Sequence, residues 1–142
     1  MAEGWLRKMA DKAGAEIEVA SAGLGAMVGS PPSRNSVIAM NEEGTDISGQ
    51  RSQMLTPEMV EDFTHIFGLG SGHIEAIRAH FPEALEKTFV LREFIAEGGH
   101  DIEVPDPIGG DLDEYRETRK LIQEAMPSIL SFVTTGDPSP GK

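Results

Sequence analysis

Ile66-Phe67-Gly68-Leu69 is a continuous apolar run between polar borders, the pattern of a strand covered on both faces. Gly70-Ser71-Gly72 turns that run into a helix with Ile74, Ile77 and Phe81 at helical spacing, closed by Pro82. Thr88-Phe89-Val90-Leu91 repeats the strand signal. Earlier, Glu16-Ile17-Glu18-Val19 alternates and runs through Ala20-Ser21-Ala22 into a turn at Gly23. Strand and helix signals therefore alternate, which predicts an α/β domain with a parallel sheet and helices on both faces.

The helical segments carry their own punctuation. Met1 to Ala13 places Trp5, Leu6, Met9 and Ala13 on one face, with Gly14 as its stop. Ser33 or Pro32 opens a second helix to Glu43, with Gly44 beyond it. In Leu55-Thr56-Pro57-Glu58, Thr56 caps, Pro57 fits the first turn, Glu58 suits the positive dipole end, and Leu55 can staple onto Val60. Asp111 or Asp113 caps a final helix to Val133, with Tyr115, Ile122, Met126, Ile129 and Val133 on its inner stripe. Pro127 is expected to kink or end that helix early, at a cost of about 3 kcal/mol if interior. Asp46 to Gln53 reads as polar connection. One element is out of order: a doubly wound domain that opens on a helix lacks the strand and phosphate-cradling turn that usually precede its first helix.

The chain has 142 residues, enough for one domain of ordinary size, expected over 1–133 with a flexible tail over 134–142. No apolar run approaches the roughly 20 residues of a membrane span, and the start has no apolar signal-peptide core, so a cytoplasmic location is expected. A net charge of −12 argues against nucleic acid, for which a basic stripe is expected. An acidic chain that binds phosphate needs a local device, such as a helix N-terminus or a clustered Arg. The four His lack metal-ligand spacing, so no metal and no cofactor are assigned. The sequence contains no cysteine, which excludes disulfides, zinc-thiolate sites and any thiolate nucleophile within it.

The candidate catalytic residue is Asp106. It lies in Val104-Pro105-Asp106-Pro107-Ile108-Gly109-Gly110, where prolines fix φ near −65° on both sides and Pro107 pushes Asp106 out of the helical region. A carboxylate on so stiff a loop suits a general acid. Asp beside Pro and Gly is also ordinary turn chemistry, and these seven residues alone favour the turn reading.

A set of motifs in sequence order separates them. Met1-Ala2-Glu3-Gly4 with Leu6-Arg7-Lys8, Ser21-Ala22-Gly23, Asp46-Ile47-Ser48-Gly49, Leu55-Thr56-Pro57-Glu58 and Asp106-Pro107 together resemble the low-molecular-weight protein tyrosine phosphatase family. The resemblance covers nearly the whole chain. Asp106-Pro107-Ile108-Gly109-Gly110, followed by an acidic helix bearing Tyr and Arg, is most similar to the bacterial protein arginine phosphatase branch. It implies a flavodoxin-like, three-layer fold and a two-step phosphoryl transfer from a phosphorylated protein or a small phosphomonoester. A cysteine thiolate of a Cys-x5-Arg-Ser loop attacks phosphorus, the Arg and loop amides hold the equatorial oxygens, and the Asp protonates the leaving atom, then acts as base toward water. Only the last role maps onto a residue present here, Asp106.

In the family that loop and a first strand precede the Met-Ala-Glu segment, and the strand is central in sheet order two, one, three, four. Without it, its two neighbours stand about 9.6 Å apart, too far for ladder hydrogen bonds, and unsatisfied backbone is expected to be fatal to the native arrangement. The resemblance therefore implies a start upstream of Met1 or a deliberate cut. Tyrosine-specific relatives carry aromatic residues after Asp-Pro, where this chain has Ile108 and Gly109, so phosphotyrosine specificity is not expected. Gln50 stands where relatives often have His. His73 is either a substrate-side donor or an exposed helix-start residue. The expectation is a phosphatase domain inactive as written. The alternatives are a non-catalytic pseudophosphatase that binds or regulates, and thiol-free catalysis by Asp106 with His73 or His100. Arsenate reduction, which needs several thiols, is excluded.

Overall fold

Helix α1 (Ala2–Ala13) ends where Gly14 takes a left-handed φ of 68° and its N–H caps the last carbonyls. The computed structural model describes residues 1–24, 28–95 and 103–138. Parts of the 23–32 loop, of the 97–106 loop with His100, and of the 134–142 tail lie outside the described residues.

Helix α2 (Arg34–Asn41) is capped by Ser33, whose hydroxyl accepts from Ser36 N–H, and it stops short of the expected Glu43. Helix α3 (Pro57–Asp62) starts as its sequence dictates: Thr56 accepts from Met59 N–H, and Leu55 packs in the cluster that contains Val60. Strand β1 (Ile66–Gly68) leads into α4 (Ser71–His80), then a 3-10 segment (Pro82–Lys87), strand β2 (Thr88–Val90) and the long helix α5 (Leu112–Thr135). Asp111 rather than Asp113 is the cap of α5, accepting from Glu114 N–H.

β1 and β2 pair in parallel, Phe67 opposite Phe89, and form a two-stranded sheet among the described residues. The strand's alternation sorts the core. Ile66 packs with Val60, Ile77 and Ala84 on one face, and Phe67 joins Ile122, Ala125, Met126 and Ile129 on the other. α5 packs with α1 on the Phe67 face and α4 packs on β1 and β2 on the Ile66 face, so helices cover both faces of the sheet. The inner stripe of α5 is buried at Tyr115, Ile122, Met126 and Ile129, with Val133 at its margin.

Four expectations need correction. Glu16–Val19 forms no ladder; Val19 O accepts from the Arg7 side chain, and a parallel bridge forms only further on, between Gly23 and Met54. Each residue of β1 is only half-buried, because one edge of the strand faces a groove instead of a partner. α5 continues through Pro127, which sits on its exposed side, where the carbonyl of Gln123 that loses its N–H partner can be hydrated. The link 46–53 is not wholly polar connection, since Ile47 is a fully buried core residue against α1 at Gly4.

Candidate active site

Asp106 sits on a loop anchored at both ends. Upstream, Val104 N–H donates to Leu69 O at 2.7 Å, continuing the chain from the end of β1. Downstream, Gly110 N–H donates to Pro107 O at 2.7 Å, closing a tight turn whose third residue, Gly109, takes φ 79°, a conformation glycine adopts without strain. Asn35 at the start of α2 donates to Gly110 O at 3.3 Å and ties the loop to that helix.

Asp106 Oδ1 accepts from Ile108 N–H at 3.0 Å, an Asx turn that fixes the carboxylate, while Oδ2 has no hydrogen bond among the described residues. The turn reading and the donor reading are therefore compatible: one oxygen makes the turn and the other is available.

Asp106 lines a groove of about 680 Å³, together with Met1, Ala2 and Glu3 at the N-terminal turn of α1 and with Ser21 to Gly23. A helix N-terminus offers unsatisfied N–H groups and a positive dipole end, the local device that an acidic chain needs to face an anion.

His73 lines the groove and is exposed at the start of α4: its Nδ1 accepts Leu69 N–H at 2.9 Å, which fixes the neutral ring as the Nε2–H tautomer. That leaves Nε2–H as the only donor it could show a substrate. His65 is absorbed by packing, stacked on Phe67 and edge-on to Phe132. His80 ends α4 exposed. Among the described residues no three metal-binding side chains gather, and no helix is long and apolar enough to cross a membrane.

Two residues that position the loop carry no local sequence signal. Glu103 accepts from both Ser71 N–H at 3.0 Å and Ser71 Oγ–H at 2.7 Å, capping α4 from 32 residues away. Those bonds, with His73 nearby, hold its carboxyl below the usual range. A Cβ at Gly70 would meet the Glu103 carboxylate, so that side chain would have to shift and its bonds to Ser71 would be disturbed. Asn35 is the second. Both contacts join segments far apart in the chain, so only the assembled fold reveals them.

Comparison with known proteins matches the geometry. Residues 1–136 match the family model described as low molecular weight phosphotyrosine protein phosphatase. A protein-arginine-phosphatase of Geobacillus stearothermophilus is 38% identical over 119 residues, covering 84% of this chain and 78% of that protein. A second, from Bacillus subtilis, is 29% identical over 126 residues, covering 89% and 82%. The solved arginine phosphatase of G. stearothermophilus superposes with a TM-score of 0.83 at 32% identity, covering 95% of this chain and 84% of that one. That protein's fold is therefore shared over most of this chain. With the family model spanning nearly every residue and two arginine phosphatases among its relatives, this chain belongs to the low molecular weight phosphotyrosine protein phosphatase family.

Proposed function

We propose that Asp106 is the general acid, then base, of a protein phosphatase domain whose 142 residues hold the proton donor without the nucleophile. Phosphoarginine suits this domain better than phosphotyrosine. Ile108 and Gly109 follow Asp106-Pro107 where a phenyl ring would want an aromatic partner, and Ile108 is 78% exposed. The leaving nitrogen of a phosphoarginine would take its proton from Asp106.

The observation that carries the reading is the free Oδ2 of Asp106 on a doubly anchored loop, facing the same groove as the first turn of α1. No thiol exists in the chain, so it is expected to turn over neither phosphoarginine nor phosphotyrosine substrates. The domain extends beyond the expected 133 to the end of α5 at Thr135, with the tail after it, and acts in the cytoplasm on a phosphorylated protein or small phosphomonoester. The second reading, a non-catalytic binding or regulatory module on the same surface, draws on that lack of a thiol.

The role of Asp106 is tested by fusing the strand-and-loop segment of the G. stearothermophilus relative ahead of Met1. Turnover of a phosphoarginine-bearing protein is expected to appear, and Asp106→Asn to lower it by about 10²–10⁴-fold, the usual contribution of a positioned acid. Turnover unchanged by Asp106→Asn would refute the assignment.

A further inference from the structure

The start of α4 and the start of the Asp106 loop meet at one residue, Leu69. Its N–H donates to His73 Nδ1 at 2.9 Å, and its carbonyl accepts from Val104 N–H at 2.7 Å. The two peptide units that flank the Leu69 Cα are therefore both held, one by a helix side chain and the other by the loop, which leaves little freedom in φ and ψ there. Gly70, the N-cap of α4, makes no side-chain cap, and backbone N–H groups around this helix start are taken instead by His73 and, at Ser71, by Glu103.

The hold on Val104 reaches Asp106 through few free torsions. The ring of Pro105 fixes its own φ, and Pro107 restricts Asp106. The bond from Ile108 N–H to Oδ1 at 3.0 Å then sets the carboxylate on that backbone. At the far end of the loop the tie from Asn35 to Gly110 O is longer, 3.3 Å, so the Leu69 end is the tighter anchor. His73 is exposed, so it is joined to the loop by its ring nitrogen and not by burial. A side chain that reaches back to a backbone N–H is ordinary helix-start chemistry. What sets this one apart is that the residue it fixes, Leu69, is also the acceptor for the loop.

We propose that His73 is a positioning residue for Asp106: its Nδ1 fixes Leu69, Leu69 O fixes Val104, and the two prolines carry that placement to the carboxylate. The value of this to the reaction rests on Asp106 being the proton donor, as read above; the mechanical link does not. The link needs an acceptor attached to Cγ, where Nδ1 stands. Asn carries its Oδ1 on that carbon, whereas Gln carries its oxygen one carbon further out.

The test is made by NMR on the isotope-labelled 142-residue chain. A scalar coupling across the hydrogen bond is expected between the Leu69 nitrogen and His73 Nδ1. His73→Gln is expected to speed amide exchange at Val104 and at Ile108 about tenfold, the worth of one hydrogen bond, with Ile129 in α5 unchanged. His73→Asn is expected to keep the native rates at both positions. A proton found on Nδ1 overturns the proposal, and so do equal rates in the Asn and Gln variants. A Gln variant that does not fold, or in which Ile129 accelerates as much as Val104, overturns it as well, since His73 would then be holding the fold and not the loop. Turnover is not read, so these failures are distinct from a failure of Asp106 as the acid.

Discussion

At the level of single residues, the clearest signals were those that act within a few positions of themselves. Thr56 caps α3 and Asp111 caps α5 because a short oxygen-bearing side chain one step before an apolar period can reach only its own first turn. Replacing Thr56 by Ala is expected to cost about 1 kcal/mol, read from the urea midpoint. Ile129, with no exposed surface at the centre of the α5 stripe, is a core residue whose truncation leaves a cavity. Ile129→Ala is expected to cost about 2–5 kcal/mol in the same measurement, and a loss under 1 kcal/mol would mean that the core is not packed as described. The residues that escaped the sequence act at a distance. Glu103 caps a helix 32 positions away, and Asn35 reaches Gly110 across 75. His73 is the exposed helix-start residue that the sequence suggests, but the backbone N–H of Leu69 that its ring accepts has no local sequence signal.

Between elements, the junction of α2 with α5 is held by charge. Glu42 accepts from Arg116 at 2.6 Å and from Arg119 at 2.8 Å, and Asp113 pairs with Arg116 from within α5. The two guanidiniums, Arg116 first, hold the Glu42 carboxyl at about 2 against an ordinary 4.5. A carboxyl depressed in the folded state stabilises it fully above its unfolded pKa, and the contribution is lost as pH falls toward the folded value. The α2–α5 junction is therefore expected to weaken between about pH 4.5 and pH 2, and Glu42→Gln to flatten that limb of the urea midpoint against pH. Glu103 and Asp46 are lowered in the same direction and leave a residual acid limb in the variant. Added salt is expected to reduce the Glu42 effect, since the pair is partly exposed. Pro127 is the second element-scale case. It removes one backbone bond from α5 at an exposed position, and Pro127→Ala is expected to stabilise the protein, by up to about 3 kcal/mol in urea denaturation. The expectation that this proline ends the helix failed because the buried stripe on both sides of it, Ile122 to Ile129, outweighs one lost bond.

For the whole molecule, the alternation of strand and helix signals and the order of five short motifs were enough to reach the fold, since each motif marks a boundary that the backbone must respect. The sheet was less legible. Glu16–Val19 carries the alternation of a strand, but a ladder is a property of two chains, and the pattern of one cannot tell whether a partner stands beside it. The groove between that segment and β1 is the consequence, and the apolar run of β1 is half-buried for the same reason. The site follows the same division: Asp106 was legible from its prolines and from the motif, while the anchors that aim it were not.

The central claim is that this chain holds a phosphatase's proton donor without the atom that attacks phosphorus. It is tested most directly by incubating the purified 142-residue chain with a phosphoarginine-bearing protein and a phosphotyrosine peptide and measuring inorganic phosphate release. The account predicts release no faster than in buffer for either substrate. Release above that level which Asp106→Asn abolishes would contradict it.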